Sequence, residues 1–271
     1  VRCDIRLFHA APRVELHYTL QKRRNNAPEG IYVAFPLGPE DGRILFETLG
    51  GVAEPARDIL PGAASDWQTM QSFAGVRWPA TGKAREQVVI SSDEIPLVQF
   101  GEINLGKFQR ETKVARPHIF SWVMNNYWTT NFKASQEGEF RFSYALTSET
   151  QATRSSATRF GVAHRIPFLG RVLPGRGAAR ALVSKTILPL DRSNVILIAA
   201  RPASDGDGLI LHLREVDGEP ATIDTSAWKI GGAAARVREV TVLGLPLSEL
   251  SGAVHFAPCE TKFLLVEARR Q

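Results

Sequence analysis

Cysteine is scarce in this 271-residue chain. Cys3 and Cys259, near opposite ends, are the only two. Neither belongs to a CxxC pair or a Cys/His cluster, which excludes a zinc knuckle and a thioredoxin-type site. Two separate reduced thiols are expected rather than a bridge, and this usage leans toward a reducing, cytoplasmic setting. Long apolar runs are also lacking. None approaches ~18 uninterrupted residues, so no transmembrane helix is expected. No G-x-G-x-x-G follows a strand and no βαβ rhythm appears, which disfavours a nucleotide-binding α/β domain. There is no G-x-S-x-G elbow. The opening VRCDIRLFHAAPRVELHY has neither an initiator Met nor a signal-like apolar segment. The chain is therefore expected to be a piece of a longer protein.

What is present is ordinary globular composition, 44% hydrophobic and 23% charged, which excludes a disordered tail or a coiled-coil rod. The dominant period is two. Val14, Leu16, Tyr18 and Leu20 alternate with polar residues, as do Phe140, Phe142, Tyr144 and Leu146. Leu209, Leu211 and Leu213 alternate with Ile210, His212 and Arg214. Further strands are expected over 31–36, 87–91, 97–100, 195–199, 238–243 and 262–267. Turn clusters such as GPEDG, SQEG and SDGDG separate them. Short strands at this spacing make an antiparallel sandwich. Helical signal is weak and confined to 177–185. A boundary is expected near Thr186–Ser193, giving a large β domain over 1–190 and a small one over 191–271.

Charge is unevenly spread. The chain carries 33 Lys and Arg against 28 Asp and Glu, net +5. Between Glu149 and Asp191 there is no acidic residue. That interval holds Arg154, Arg159, Arg165, Arg171, Arg176, Arg180 and Lys185, and the remainder of the chain is net −2. It reads as a solvated basic loop or as a contact surface for another domain or an anionic ligand. Only two Phe accompany it, which argues against nucleic acid.

The six histidines, His9, His17, His118, His164, His212 and His255, show no HxxxH or HxH spacing, so no metal site is readable locally. His17 and His212 fall on polar strand faces, which implies solvent exposure. Asp205 and Asp207 in SDGDG lack the distal Glu of a calcium loop and mark a hairpin turn. The distinctive segment is PHIFSWVMNNYWTTNFKASQEGEFRF, residues 117–142. It combines His118, Trp122, Tyr127 and Trp128 with Asn125, Asn126, Asn131 and Gln136. Aromatic rings offer flat apolar faces to a sugar ring, and amides donate and accept at once, as hydroxyls require. The competing reading makes the aromatics core and the asparagines turn residues holding their own backbone.

GIYVAFPL (30–37), SSDEIPLVQFGEINLGKFQ (91–109) and SWVMNNYWTTNFKASQEGEFRFSYALT (121–147) resemble the C-terminal β region of family 38 glycoside hydrolases, the α-mannosidases and their bacterial relatives. The opening strand pattern and the final strands are similar to the ends of that region. The resemblance implies an all-β fold, a galactose-mutarotase-like supersandwich followed by a small antiparallel β-sandwich. It also implies that the zinc ion and nucleophilic aspartate of the retaining reaction belong to an N-terminal catalytic domain of the same polypeptide. No position here matches those motifs, so no catalytic residue and no cofactor is expected within this chain. His118, Trp122, Asn125, Asn126, Tyr127, Trp128, Asn131 and Gln136 are then candidates for facing substrate. Arg154, Arg159, Arg165, Arg171, Arg176 and Arg180 are candidates for contacting that domain. A free-standing mutarotase-like epimerase or lyase would instead need a convergent set such as His118 with Glu102, or His164 with Arg165. A structural or partner-binding sandwich would need none.

Overall fold

A computed structural model describes residues 1–63, 65–80, 85–105, 107–127, 133–166, 168–170, 186–204, 206 and 208–268. Trp128, Asn131, Arg171, Arg176, Arg180, Lys185, Asp205, Asp207 and the helix expected over 177–185 lie outside them. The chain divides into two compact units, Val1–Pro167 and Phe168–Gln271. The division thus falls some twenty residues before the expected boundary.

The first unit holds β1 (Arg2–Leu7), β2 (Val14–Lys22), β3 (Gly30–Pro36), β4 (Arg43–Thr48), β5 (Gly51–Ala53), the one-turn helix α1 (Pro55–Asp58), β6 (Gln68–Thr69), β7 (Ala74–Pro79), β8 (Arg85–Ser91), β9 (Leu97–Phe100), β10 (His118–Asn125), β11 (Gly138–Glu149) and α2 (Arg154–Arg165). They form a seven-stranded sheet, β1-β2-β11-β8-β7-β4-β5, and a four-stranded sheet, β3-β10-β9-β6. All pairings are antiparallel. The period-two alternation sets which face is inward. Leu20, Phe142, Tyr144, Ile90, Val76 and Phe46 from the larger sheet meet Phe35, Val98, Phe100 and Ile119 from the smaller. At the centre the buried Tyr144 hydroxyl donates to Ser121 Oγ at 2.8 Å, pairing one polar atom from each sheet.

Helix α2 covers the outer face of the larger sheet. It occupies the first part of the basic interval, where no helix was expected. Thr153 caps it, accepting from Ser156 N at 3.0 Å. Its packing face is made of small residues: Ser155, Ala157, Thr158 and Gly161 are buried. A Cβ on Gly161 would lie 2.6 Å from the Ser72 carbonyl oxygen, so only glycine admits this approach.

The second unit holds β12 (Val195–Pro202), β13 (Leu209–Glu215), β14 (Ala221–Asp224), β15 (Lys229–Ile230), β16 (Ala233–Val240), β17 (Pro246–Leu250), β18 (Ala253–Phe256) and β19 (Thr261–Ala268). A six-stranded sheet, with β17 paired to β16, faces the β14–β18 pair. Leu211, Leu213, Val237, Leu264 and Val266 close on Ile223, Val254, Phe256 and a fully buried Trp228. Trp228 Nε1 donates to the Pro189 carbonyl at 2.8 Å. The strand expected over 238–243 starts and ends earlier, because 241–245 turns on Gly244 at φ 85°. Glu215 is fully buried and accepts from Asn194 Nδ2 and from the backbone N–H of Asp217, Gly218 and Cys259, all within 3.0 Å. One carboxylate thus holds three loop segments. His212 is not simply solvated as expected. It stacks on Phe263 at 4.6 Å, and burial pulls its pKa down.

Candidate functional site

Strand β10 lies between β3 and β9. Its Ile119 and Ser121 point into the sandwich, while Trp122 falls on the opposite face, directly across from Tyr32 of β3. A register shift after Trp122 returns Met124 to the core side. Trp122 is 4% exposed because other rings enclose it. Tyr32 stacks on it at 5.7 Å and 14°, Tyr127 at 6.0 Å and 14°, and Trp67 meets it edge-on at 5.8 Å. The Tyr32 and Tyr127 hydroxyls are 3.0 Å apart. A Cβ on Gly30 would approach both phenol rings, at 2.8 and 3.1 Å, so the two rings lie side by side above a bare backbone. Both are half-buried. Burial raises both phenol pKa values, and the Tyr127 hydrogen bond adds to the rise at Tyr32. The two hydroxyls stay protonated at neutral pH.

Two buried polar atoms here have no hydrogen-bond partner among the described residues: Trp122 Nε1, a donor, and Asn125 Oδ1, an acceptor. Buried groups of this kind ordinarily find one. Asn126 behaves differently. Its Oδ1 accepts from Glu29 N at 2.6 Å, and its Nδ2 donates to the carbonyls of Asn25, Ala27 and Ala134 at 3.0–3.1 Å. Both amide hydrogens are committed, so Asn126 ties the β2–β3 connection to the start of the 134–137 segment. Gln136 is exposed, and His118 is half-buried edge-on to Phe120 at 6.2 Å. The structure therefore brings together Trp122, Asn125 and Tyr127 of the expected set, and leaves His118 and Gln136 outside the ring stack. Tyr32 and Trp67 were not anticipated. Tyr32 carried one usable signal, an aromatic alternating with Ile31 and Val33 on the wrong face of its strand.

The arginines of α2 have separate surroundings. Arg154 lies 3.9 Å from Glu54, Arg165 pairs with Asp93 at 3.4 Å and donates to the Gln71 carbonyl, and Arg159 is exposed. Next to Arg165, His164 Nδ1 sits 2.9 Å from Ser91 Oγ. This is not a nucleophile–base pair. Ser91 is fully buried and its hydroxyl donates to the Ser72 carbonyl at 2.6 Å, so His164 must be the donor. Burial, with Arg13 nearby, lowers the His164 pKa. Gln87, also buried, donates to Glu149 at 2.8 Å and to the Thr153 carbonyl at 3.2 Å, and accepts from Arg77. His118 and Glu102 form no ion pair among the described residues. In the second unit, a cleft between Asp191–Asn194 and β14–β18 is lined by Thr222 and His255, whose side chains bond each other at 2.8 Å. Among the described residues no three His, Cys, Asp or Glu side chains are grouped to hold a metal ion. Among them, too, no helix is long and apolar enough to cross a membrane.

No protein-family model and no curated protein matches the chain. Solved structures do. An α-mannosidase from Enterococcus faecalis V583 superposes with a TM-score of 0.70 at 14% identity, over 96% of this chain and 28% of that one. A protein in glycosyl hydrolase family 38 from Enterococcus faecalis gives 0.68 at 13% identity, over 96% of this chain and 29% of that one. The chain spans less than a third of the length of either. At such identity the likeness establishes the fold: this chain has the two-part β architecture of a region within those larger glycosidase-family structures.

Proposed function

We propose that this chain is a non-catalytic β module of a family 38-like glycoside hydrolase of the α-mannosidase type. It scaffolds the domain that carries zinc and nucleophile, and it presents the Tyr32–Trp122–Tyr127 surface to carbohydrate. The observation that carries the reading is the match over 96% of this chain with only 28% of the α-mannosidase structure. The ring stack supports the carbohydrate part. The half-exposed phenols of Tyr32 and Tyr127 offer flat faces to the C–H face of a pyranose, and their hydroxyls can donate to and accept from a ligand rich in hydroxyls. Arg159 and the exposed side of α2 form the surface offered to the catalytic domain. The parent enzyme's zinc has its ligands in that domain.

The test is hydrolysis of an aryl α-mannoside in the presence of zinc. The 271-residue chain is compared with the full-length polypeptide that carries it. The reading predicts turnover by the longer protein and none by the chain alone. Turnover by the chain alone, or none by the longer protein, overturns it.

A further inference from the structure

The turn between β16 and β17 is held by few parts. Thr241 N donates to the Leu245 carbonyl and Gly244 N to the Thr241 carbonyl, both at 2.8 Å. Leu245 N donates to Thr241 Oγ1 at 3.1 Å, and Arg201 Nη2 donates to the Val242 carbonyl at 2.9 Å. Gly244 supplies the positive φ of 85°, and a Cβ on it would lie 3.0 Å from Ile210 Cδ1. The turn is thereby seated at Ile210, which clusters with Ala203, Val240 and Leu265 on the face of the sheet away from the main core. Backbone, Thr241, Gly244 and Arg201 make these bonds. The side chains at 242, 243, 245 and 247 are not needed for them. Yet all four are large and apolar, and they stand in solvent: Val242 is 59%, Leu243 77%, Leu245 61% and Leu247 61% exposed. Pro246 between them is exposed as well. Single apolar residues scattered over a surface are ordinary, but five within 242–247 make a patch. The same strands carry paired charges, Arg236 with Glu249 and Arg238 with Glu267. An apolar centre beside a charged rim is the anatomy of a protein contact surface, and a turn fixed in advance loses little freedom on docking.

We propose that this turn docks on the part of the longer polypeptide outside these 271 residues, burying Val242, Leu243, Leu245 and Leu247 against an apolar surface there. The inference rests on the reading of the chain as a module of a larger protein. Length argues for that occupant. The matched region is 28% of the α-mannosidase chain, so a protein of that size has ample surface to cover a face that these residues leave bare. The chemistry argues for it too. Permanent contacts are more apolar than transient ones, and a tethered surface covers the patch at every protein concentration. Arg159 and α2 offer a charged contact in the first unit; this one is apolar and belongs to the second.

Thiol labelling tests it. In a background of Cys3→Ser and Cys259→Ser, Leu243→Cys is introduced into the 271-residue chain and into the full-length polypeptide that carries it. The probe is a bulky maleimide, with the labelled peptide identified by mapping. The expected result is fast labelling at position 243 in the chain alone, and labelling at least about tenfold slower in the full-length protein. Leu245→Asp added to the full-length protein should bring back the fast rate, because a carboxylate is not buried there without a partner. In the chain alone Leu245→Asp should leave the thermal melt unchanged, which separates lost docking from lost folding. Equal rates in the two proteins overturn the proposal, as does protection that survives Leu245→Asp. So does slow labelling in the chain alone at any concentration, because this chain or a second copy would then cover the turn. Hydrolysis of an aryl α-mannoside by the full-length protein is scored separately. Protection without hydrolysis removes the glycosidase reading and leaves the contact standing; hydrolysis without protection does the reverse.

Discussion

The two outer faces of the first sandwich are finished in opposite ways. On the larger sheet, α2 closes the face with the chain's own residues. Gln87, Ser91 and His164 tie helix to sheet, and Gly161 lets the helix rest against the Ser72 carbonyl. On the smaller sheet, aromatic rings cover one another, and among the described residues no helix covers them. Among the described residues Trp122 Nε1 and Asn125 Oδ1 have no partner, and Tyr32 and Tyr127 stay half-buried. A closed face has its polar groups committed to the fold. A face of half-exposed phenol rings is suited to receive something else. The distinction predicts that changes on the α2 face alter stability, whereas changes on the ring face alter binding.

The largest expected effect is Gly161→Val. The added atoms would meet backbone at Ser72, so unfolding free energy should fall by about 3 kcal/mol, read as a lower urea midpoint. Sugar binding by the folded fraction should be unchanged. Gln87→Ala comes next. It removes a buried amide that donates to Glu149 and the Thr153 carbonyl and accepts from Arg77, costing about 2 kcal/mol, again without effect on the ring face. Tyr127→Phe inverts the pattern. It removes the 3.0 Å phenol–phenol bond at a half-exposed position, for less than about 1 kcal/mol, yet should weaken sugar affinity measurably. If it lowered stability as Gln87→Ala does and left binding intact, the contrast between the faces would be lost.

The smallest effect is pH dependence. Burial and Arg13 lower the His164 pKa in the fold, against opposing contributions from Glu15, Asp93 and Glu94. The unfolded chain therefore takes up a proton first, near its ordinary value of about 6.5. Stability is full above that pH and declines as pH falls through it toward the depressed folded value. His212 acts in the same direction. Urea unfolding at successive pH values should show a shallower decline between neutral and mildly acid pH for His164→Gln than for the parent.

How much of this the sequence disclosed depended on what each segment buries. β2 and β11 were readable because each has one face against the core, and period two records that directly. The helix α2 was not. Its packing face is Ser155, Ala157, Thr158 and Gly161, small rather than apolar, so no 3.6-residue hydrophobic stripe exists to be seen. The Thr153–Ser156 cap was its one local trace. In the ring cluster, Trp122 and Tyr127 stood out by composition. Tyr32 and Trp67 join them only through the β3–β10 pairing and the loop before β6, which no local pattern encodes. Asn125 and Asn126 looked equivalent as neighbours. The fold separates them, leaving Oδ1 of the first without a partner among the described residues and binding the second to three backbone carbonyls.

The most direct test of the contrast is an NMR titration of the Trp122 indole N–H with an α-linked mannobiose, assigned among the five tryptophans by Trp122→Phe. A saturating shift in the parent, retained in Gln87→Ala and lost in Tyr127→Ala, is the predicted result. An indole resonance unmoved at the highest sugar concentration, in a chain that melts as a folded protein, would contradict a carbohydrate-facing role for this surface.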